Sequence, residues 1–86
     1  MARRSWRVNI RGEEHTVEAK HNILTNAGEI RVNGKVVDSW GFRLWPPDRA
    51  FRVGRSIARF RARGFFPGAW ELYIDGQLIS SGGAVL

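Results

Sequence analysis

Apolar and polar residues alternate with a period of two along most of this chain. The stretch 6–11 reads Trp-Arg-Val-Asn-Ile-Arg, and the stretch 15–21 reads His-Thr-Val-Glu-Ala-Lys-His. Successive side chains of a β-strand point to opposite faces of the sheet, so this pattern predicts strands with one buried face. Residues 12–14, Gly-Glu-Glu, would form the turn between these two strands. The sequence shows no stretch with the 3.6-residue period of an amphipathic helix, and it therefore predicts no helix.

A turn phrase that is typical of β-hairpins occurs twice, 42 residues apart. Asn33-Gly34 stands between Ile-Arg-Val and Lys-Val-Val, and Asp75-Gly76 stands between Leu-Tyr-Ile and Gln-Leu-Ile. Both central residues of a type I′ turn need a positive φ, which Asn and Asp tolerate and Gly adopts freely. Each phrase therefore predicts a tight hairpin and sets the register of its two strands.

The second half of the chain repeats the first. Residues 51–53, Phe-Arg-Val, correspond to residues 6–8, Trp-Arg-Val, and residues 60–62, Phe-Arg-Ala, correspond to residues 17–19, Val-Glu-Ala. Between the halves, the segment Trp-Pro-Pro-Asp interrupts regular structure because consecutive prolines lack backbone donors. We expect a single domain over residues 1–86, with halves at about 5–44 and 49–81. Eight short antiparallel strands of this kind form an all-β sandwich or barrel.

The inward-facing positions of these strands define a predicted core that is rich in aromatic residues. Large aromatic side chains bury roughly 150–250 Å² each, which helps so small a domain to stabilise itself. The predicted core residues are Trp6, Val8, Ile10, Val17, Ala19, Ile30, Val32, Trp40, Phe42, Phe51, Val53, Phe60, Trp70, Leu72 and Ile74.

The composition narrows the class of protein. The chain has 14 Lys and Arg against 8 Asp and Glu, a net charge of +6, and no Cys. Without Cys there is no disulfide framework, no thiol nucleophile and no thiolate metal site. No apolar run approaches the roughly 20 residues that span a membrane, and none follows the basic N-terminus as in an export signal. We therefore expect a cytoplasmic protein that does not contact membranes.

The order and spacing of several short motifs resemble those of the Fas apoptosis inhibitory molecule family, over nearly the whole chain. The resemblance implies an eight-stranded antiparallel sandwich. Animal members carry two such modules in tandem, so this chain is similar to a free-standing, single-domain relative. The motifs are His15-x5-His21, the hairpin that ends at Gly34, Trp40-x-Phe42, Phe51-x-Val53-Gly54, and the strand from Trp70 to Gly76.

Neither the histidines nor the hydroxyl residues indicate a catalytic or metal site. At about 3.3 Å per residue, His15 and His21 would lie roughly 20 Å apart on one strand, too far to bind one metal ion. Each is expected to be a hydrogen-bonded histidine at a strand end. No Ser or Thr stands beside a predicted base, and Glu13-Glu14 is expected to be solvated. We therefore expect no enzyme, no bound metal and no cofactor.

Arginines cluster in the second half, where six occur from Arg49 to Arg63 without an acidic residue. On the predicted strand, alternate arginines share one face and would form a stripe about 13 Å long. Such a stripe could follow the phosphates of a nucleic acid or another polyanion, with neighbouring aromatics for stacking. Outward arginines also protect strand edges from aggregation. The candidate polyanion contacts are Arg59, Arg61 and Arg63.

Two apolar loop segments, Trp45-Pro-Pro and Phe65-Phe66-Pro, suggest a different contact surface. If both lie at one end of the sandwich, they would form a patch suited to a protein or peptide, although they could also cover the open end of the core. The sequence therefore predicts a non-catalytic binding module, monomeric or weakly dimeric, with Trp45, Phe65 and Phe66 as candidate protein contacts. Nucleic-acid or polyanion binding through the arginine stripe is the alternative.

Overall fold

The computed structural model describes residues 2–22, 24–42, 44–45, 47–62 and 70–80. Within these residues the chain forms two four-stranded antiparallel sheets, each a simple meander, and no helix. The first sheet has the order β1-β2-β3-β4 and the second the order β5-β6-β7-β8, with the apolar core between them. The predicted all-β sandwich is confirmed. The strands are β1 Ala2–Ile10, β2 Glu13–His21, β3 Gly28–Val32, β4 Lys35–Trp40, β5 Asp48–Val53, β6 Ser56–Ala62, β7 Trp70–Ile74 and β8 Gln77–Ser80.

The two repeated turns have the predicted backbone conformation. Asn33 and Gly34 have φ values of 52° and 83°, and Asp75 and Gly76 have 49° and 82°. The turn between β1 and β2 lies earlier than the predicted Gly-Glu-Glu, because Arg11 and the following glycine take the two positive-φ positions. Glu13 and Glu14 therefore belong to β2.

Each repeated turn also holds the preceding strand of its own sheet. Asn33 accepts a hydrogen bond from the backbone N–H of Thr16 (2.9 Å) and donates its own N–H to the Thr16 carbonyl (2.8 Å). Asp75 makes the same pair of contacts with Ile57, at 3.0 and 2.8 Å. These matching clamps show that Thr16 and Ile57 are equivalent positions in the two halves.

This equivalence corrects the internal alignment that the sequence suggested. Ala19 pairs with Ile30 in the first sheet, and Phe60 pairs with Leu72 in the second. Phe60 therefore corresponds to Ala19 and not to Val17. The apolar alternation alone allows either alignment, because a shift of two residues leaves every side chain on the same face.

All but one of the predicted core residues belong to the core or pack against it, and two further residues are buried in it. The prediction is wrong for Phe42, which lies beyond the end of β4 and is 71% exposed. Ala58 and Ala62 are buried although they were not predicted as core, because they flank Phe60 on the inward face of β6. The remaining predicted residues are buried or pack against the buried cluster.

Candidate functional site

An exposed apolar patch lies on the connection between the two sheets. Phe42 and Leu44 are each 71% exposed and Trp45 is 73% exposed, and Leu24 on the β2–β3 loop is 88% exposed. Large apolar side chains with this exposure, clustered in one short segment, are typical of protein-binding surfaces. We call Phe42, Leu44 and Trp45 the apolar patch, and Leu24 is a further exposed apolar residue on the β2–β3 loop.

The strand ends beneath the apolar patch belong to both sheets. His21, at the end of β2, makes an edge-to-face contact with Trp70, at the start of β7, with ring centres 5.8 Å apart. The backbone N–H of Ala62, at the end of β6, donates to the carbonyl of Pro47 at 3.0 Å, just before β5 begins. The connection between the sheets therefore runs across one end of the sandwich.

The β2–β3 loop is held at this same end. The indole N–H of Trp40 donates to the carbonyl of Asn26 at 2.7 Å, and Trp40 pairs with Gly28 at the edge of the sheet. Leu24 is carried by that loop, and Phe42 follows Trp40 by two residues. Trp40 thus anchors the β2–β3 loop, which carries Leu24, and lies two residues before Phe42.

An ion pair between the sheets fixes the chain on either side of the connection. Arg49 of β5 donates to both carboxylate oxygens of Asp38 on β4, at 2.7 and 2.9 Å, and its guanidinium lies 5.3 Å from the centre of the Trp40 ring. The hydrogen bonds from Arg49 hold the pKa of Asp38 below its usual value. The two strands on either side of the patch, β4 and β5, are therefore joined by a bidentate ion pair.

His21 is part of the core beneath the patch. Its side chain is 1% exposed, and its Nε2–H donates to the Asn26 side-chain oxygen at 3.0 Å. Burial lowers the pKa of His21, and the hydrogen bond to Asn26 offsets part of this effect. The ring is therefore neutral at neutral pH. Its Nδ1 is buried without a hydrogen-bond partner in the part of the chain that the structure describes.

Of the three residues predicted to contact a protein, only Trp45 can be placed. Phe65 and Phe66 lie outside the described residues, as does Arg63 of the predicted arginine stripe. The sequence reasoning missed Leu24, Phe42 and Leu44. Phe42 and Leu44 follow the last alternating strand residue and precede two prolines. Their position outside the strand pattern was the signal that could have identified them as exposed.

The outward face of the second sheet contains the other predicted site. Arg59 and Arg61 lie on it as expected, beside a cavity of about 620 Å³. Arg59 donates to both carboxylate oxygens of Asp48 at 2.6 and 2.8 Å, and Arg61 lies 3.9 Å from the same carboxylate. The Asp48 carboxylate thus neutralises part of the stripe. The cavity is lined by Asp48, Ala50, Ile57, Arg59, Arg61, Tyr73, Asp75 and Gly76.

Both histidines are hydrogen-bonded, as the sequence predicted, but only His21 is at a strand end, because β2 begins at Glu13 and His15 is its third residue. Asn26 binds His21, and the Asn33 side chain lies 3.1 Å from Nδ1 of His15. The described residues contain no group of three side chains that could hold a metal ion. They also contain no helix long and apolar enough to cross a membrane.

The fold and surface define a small two-sheet β-sandwich module with an apolar patch at one end and a partly neutralised basic face. The chain belongs to the Fas apoptotic inhibitory molecule family (FAIM1), whose family model matches residues 2–81. The resemblance stated from the sequence is thereby confirmed. A comparison with curated proteins found no match.

Proposed function

We propose that this domain is a non-catalytic binding module that contacts a protein or peptide through the apolar patch. The observation that carries the proposal is the exposure of Phe42, Leu44 and Trp45, each above 70%, in one anchored connection. Solvating three such side chains costs free energy in the unbound domain, and a partner that covers them removes this cost. In this proposal the domain is a cytoplasmic monomer or weak homodimer, as expected from the sequence.

The patch combines the features of an interface centre. Aromatic side chains dominate binding energies at protein interfaces because they bury large areas with few rotatable bonds. The cross-link between Asp38 and Arg49 and the hydrogen bond from Trp40 restrain the chain beneath the patch. Less ordering entropy is lost when a restrained segment binds.

Site-specific crosslinking tests the proposal. A photo-reactive phenylalanine analogue at position 42 should capture a partner in cells, and capture should be lost when Leu44 and Trp45 are changed to Ser. Ile57→Ser is the matched control, because Ile57 is also an exposed apolar residue but lies on the outward face of the second sheet, outside the apolar patch. When the crosslinking is repeated in a cell lysate, capture should persist at high salt, since apolar contacts are little screened. Equal capture by the control and by the double Ser variant would refute the proposal.

A second candidate function is polyanion binding on the outward face of the second sheet. It is supported by the groove in which Arg59 and Arg61 lie beside the ring of Tyr73. Titration with a single-stranded oligonucleotide and with heparin at low and moderate salt tests it, because displaced counterions make such binding salt-dependent. Loss of binding in a variant with Arg59, Arg61 and Arg63 replaced by Ala would support it. Absence of binding at low salt would leave the arginines as a solvated face.

A further inference from the structure

A smaller cavity lies at the other end of the sandwich, away from the apolar patch. It is enclosed by the β1–β2 turn and the β5–β6 turn, one from each sheet, and has a volume of about 250 Å³. This is below the roughly 300–1,000 Å³ of pockets for drug-sized ligands, so any ligand here is small. The lining residues are Ile10, Arg11, Glu13, His15, Gly54 and Arg55.

The hydrogen bonds around His15 determine which ring nitrogen carries its proton. The Asn33 side-chain oxygen accepts from the backbone N–H of Thr16, so the amide nitrogen of Asn33 must be the group that faces His15 Nδ1, at 3.1 Å. An amide nitrogen donates, and Nδ1 therefore accepts. The neutral ring must then carry its hydrogen on Nε2.

His15 lines the cavity, and its Nε2 lies opposite Gly54 of the other sheet. A Cβ atom added at Gly54 would lie 3.3 Å from Nε2, which shows how closely the opposite turn approaches the ring. The His15 side chain is only 11% exposed, so its donor is held in a fixed direction. Gly54 leaves open the space in front of the donor.

Two arginines of the lining, Arg11 and Arg55, flank this donor. Among the described residues, no carboxylate lies within ion-pair distance of Arg11 or Arg55. The charge of Arg11 contributes the smallest of the effects that lower the pKa of Asp75, and the Asp75 carboxylate accepts the backbone N–H of Ile57. Unlike Arg59, both arginines are therefore available to an anion.

Arg11 also occupies an unfavourable backbone conformation. Its φ of 53° is left-handed, in a turn position where the two other turns of this kind have Asn33 and Asp75. Asn and Asp tolerate this region, whereas a long side chain such as Arg seldom adopts it. Strain of this sort at a cavity is a reason to look for a role of the side chain.

We propose that this cavity binds a small oxyanion of the phosphate class, with His15 Nε2–H, Arg11 and Arg55 as donors. Glu13 is the one acidic group among the described residues of the lining, with its carboxylate 3.7 Å from Nε2 and its side chain 79% exposed. An incoming anion displaces this exposed carboxylate from the ring. Glu13 thus acts as an internal competitor for the His15 donor.

The test is a titration of the ¹⁵N-labelled domain with inorganic phosphate, with sodium chloride adjusted to keep the ionic strength constant. Saturable shifts should appear at the backbone amides of Gly12 and Gly54 and at the His15 ring. The ring ¹⁵N shifts of the free domain should show the Nε2–H tautomer. A parallel titration with glycerol 3-phosphate distinguishes the sources: tighter binding of the ester indicates the terminal phosphate of a larger molecule, and tighter binding of phosphate indicates the free anion.

Three variants and one control test which residues form the site. Two variants should weaken phosphate binding, one should strengthen it, and the control should leave it unchanged. Arg11→Asn and Arg55→Gln should each weaken binding about tenfold, because each removes a charge-assisted hydrogen bond. Arg11→Asn should also raise the urea midpoint, since Asn relieves the strained turn. Glu13→Gln should strengthen binding. Arg3→Gln removes the same charge from the far end of β1, about 26 Å away along the strand, and should change the affinity less than twofold.

Several results would overturn the assignment. Shifts that do not saturate, or that chloride produces equally, would show a diffuse counterion effect. Weaker binding in the Glu13 variant, or an equal loss in the Arg3 control, would show that the three donors do not form the site. An Nδ1–H tautomer in the free domain would remove the donor that faces the cavity.

Discussion

The buried His21 predicts how the stability of the domain depends on pH. Because burial lowers the pKa of His21 in the folded state, the unfolded chain binds a proton first as the pH falls through the ordinary value of about 6.5. Its contribution to stability is therefore complete above that pH and is lost below it, down to the lowered pKa of the folded state. Replacing His21 by Gln should remove this dependence, since a Gln amide can still donate to Asn26 and does not titrate.

The expected magnitude follows from proton linkage. If His21 stays neutral in the folded state, lowering the pH from about 7.5 to about 5.5 decreases the free energy of unfolding by about 1.3 kcal/mol, as an upper limit. Asp38 and Asp75 also have lowered pKa values, but their contributions are lost only as the pH falls below about 4. The two effects therefore occur in separate pH ranges.

Urea denaturation monitored by tryptophan fluorescence at a series of pH values measures the effect. The quantity of interest is the difference between the wild-type chain and His21→Gln, because His15 is present in both. We expect this difference to change by up to the stated 1.3 kcal/mol between the two pH values, with no change in the slope against urea. Parallel pH profiles for the two proteins would refute the reasoning, since His21 would then have the same pKa folded and unfolded.

Other substitutions test the packing and the turns, each by urea denaturation. Trp70→Ala should destabilise the domain by about 3–5 kcal/mol, because the side chain is fully buried against both sheets. Gly28→Ala should cost at least about 2 kcal/mol, because its Cβ would lie 2.9 Å from the Trp40 ring and closer still to backbone, whereas Gly41→Ala meets nothing within 4 Å and should cost little. Asp75→Ala should cost about 1–2 kcal/mol through the lost hydrogen bond and the positive φ, and Asp75→Asn should restore most of it.

Much of the fold could be predicted because the informative signals are local. The conformation of a two-residue turn depends on the φ range that Asn, Asp and Gly can adopt, and the buried face of a strand depends on alternation. The mistakes occurred where local signals end. Phe42 continues the apolar spacing of β4 but lies past its last hydrogen-bonded residue, so no opposing strand covers it.

The candidate sites were predictable to a smaller extent. Arg59 and Arg61 were placed correctly on one face, because that follows from the strand period. The sequence did not predict that Asp48 neutralises these two arginines, although Asp48 immediately precedes the arginine-rich segment. Whether Arg59 meets a carboxylate or solvent depends on the antiparallel register of β5 against β6, which sets the two residues diagonally across the pair.

The sequence by itself determined the repeated hairpins, the all-β class, the family resemblance and nearly all of the core. Tertiary structure decided which apolar residues remain exposed at the connection, which asparagine orients each histidine, and that Arg11, His15 and Arg55 line one cavity. The physical reason is the range of the interactions. Backbone conformation and side-chain alternation are encoded within a few residues, whereas the packing of two sheets brings together groups that are some forty residues apart in the chain.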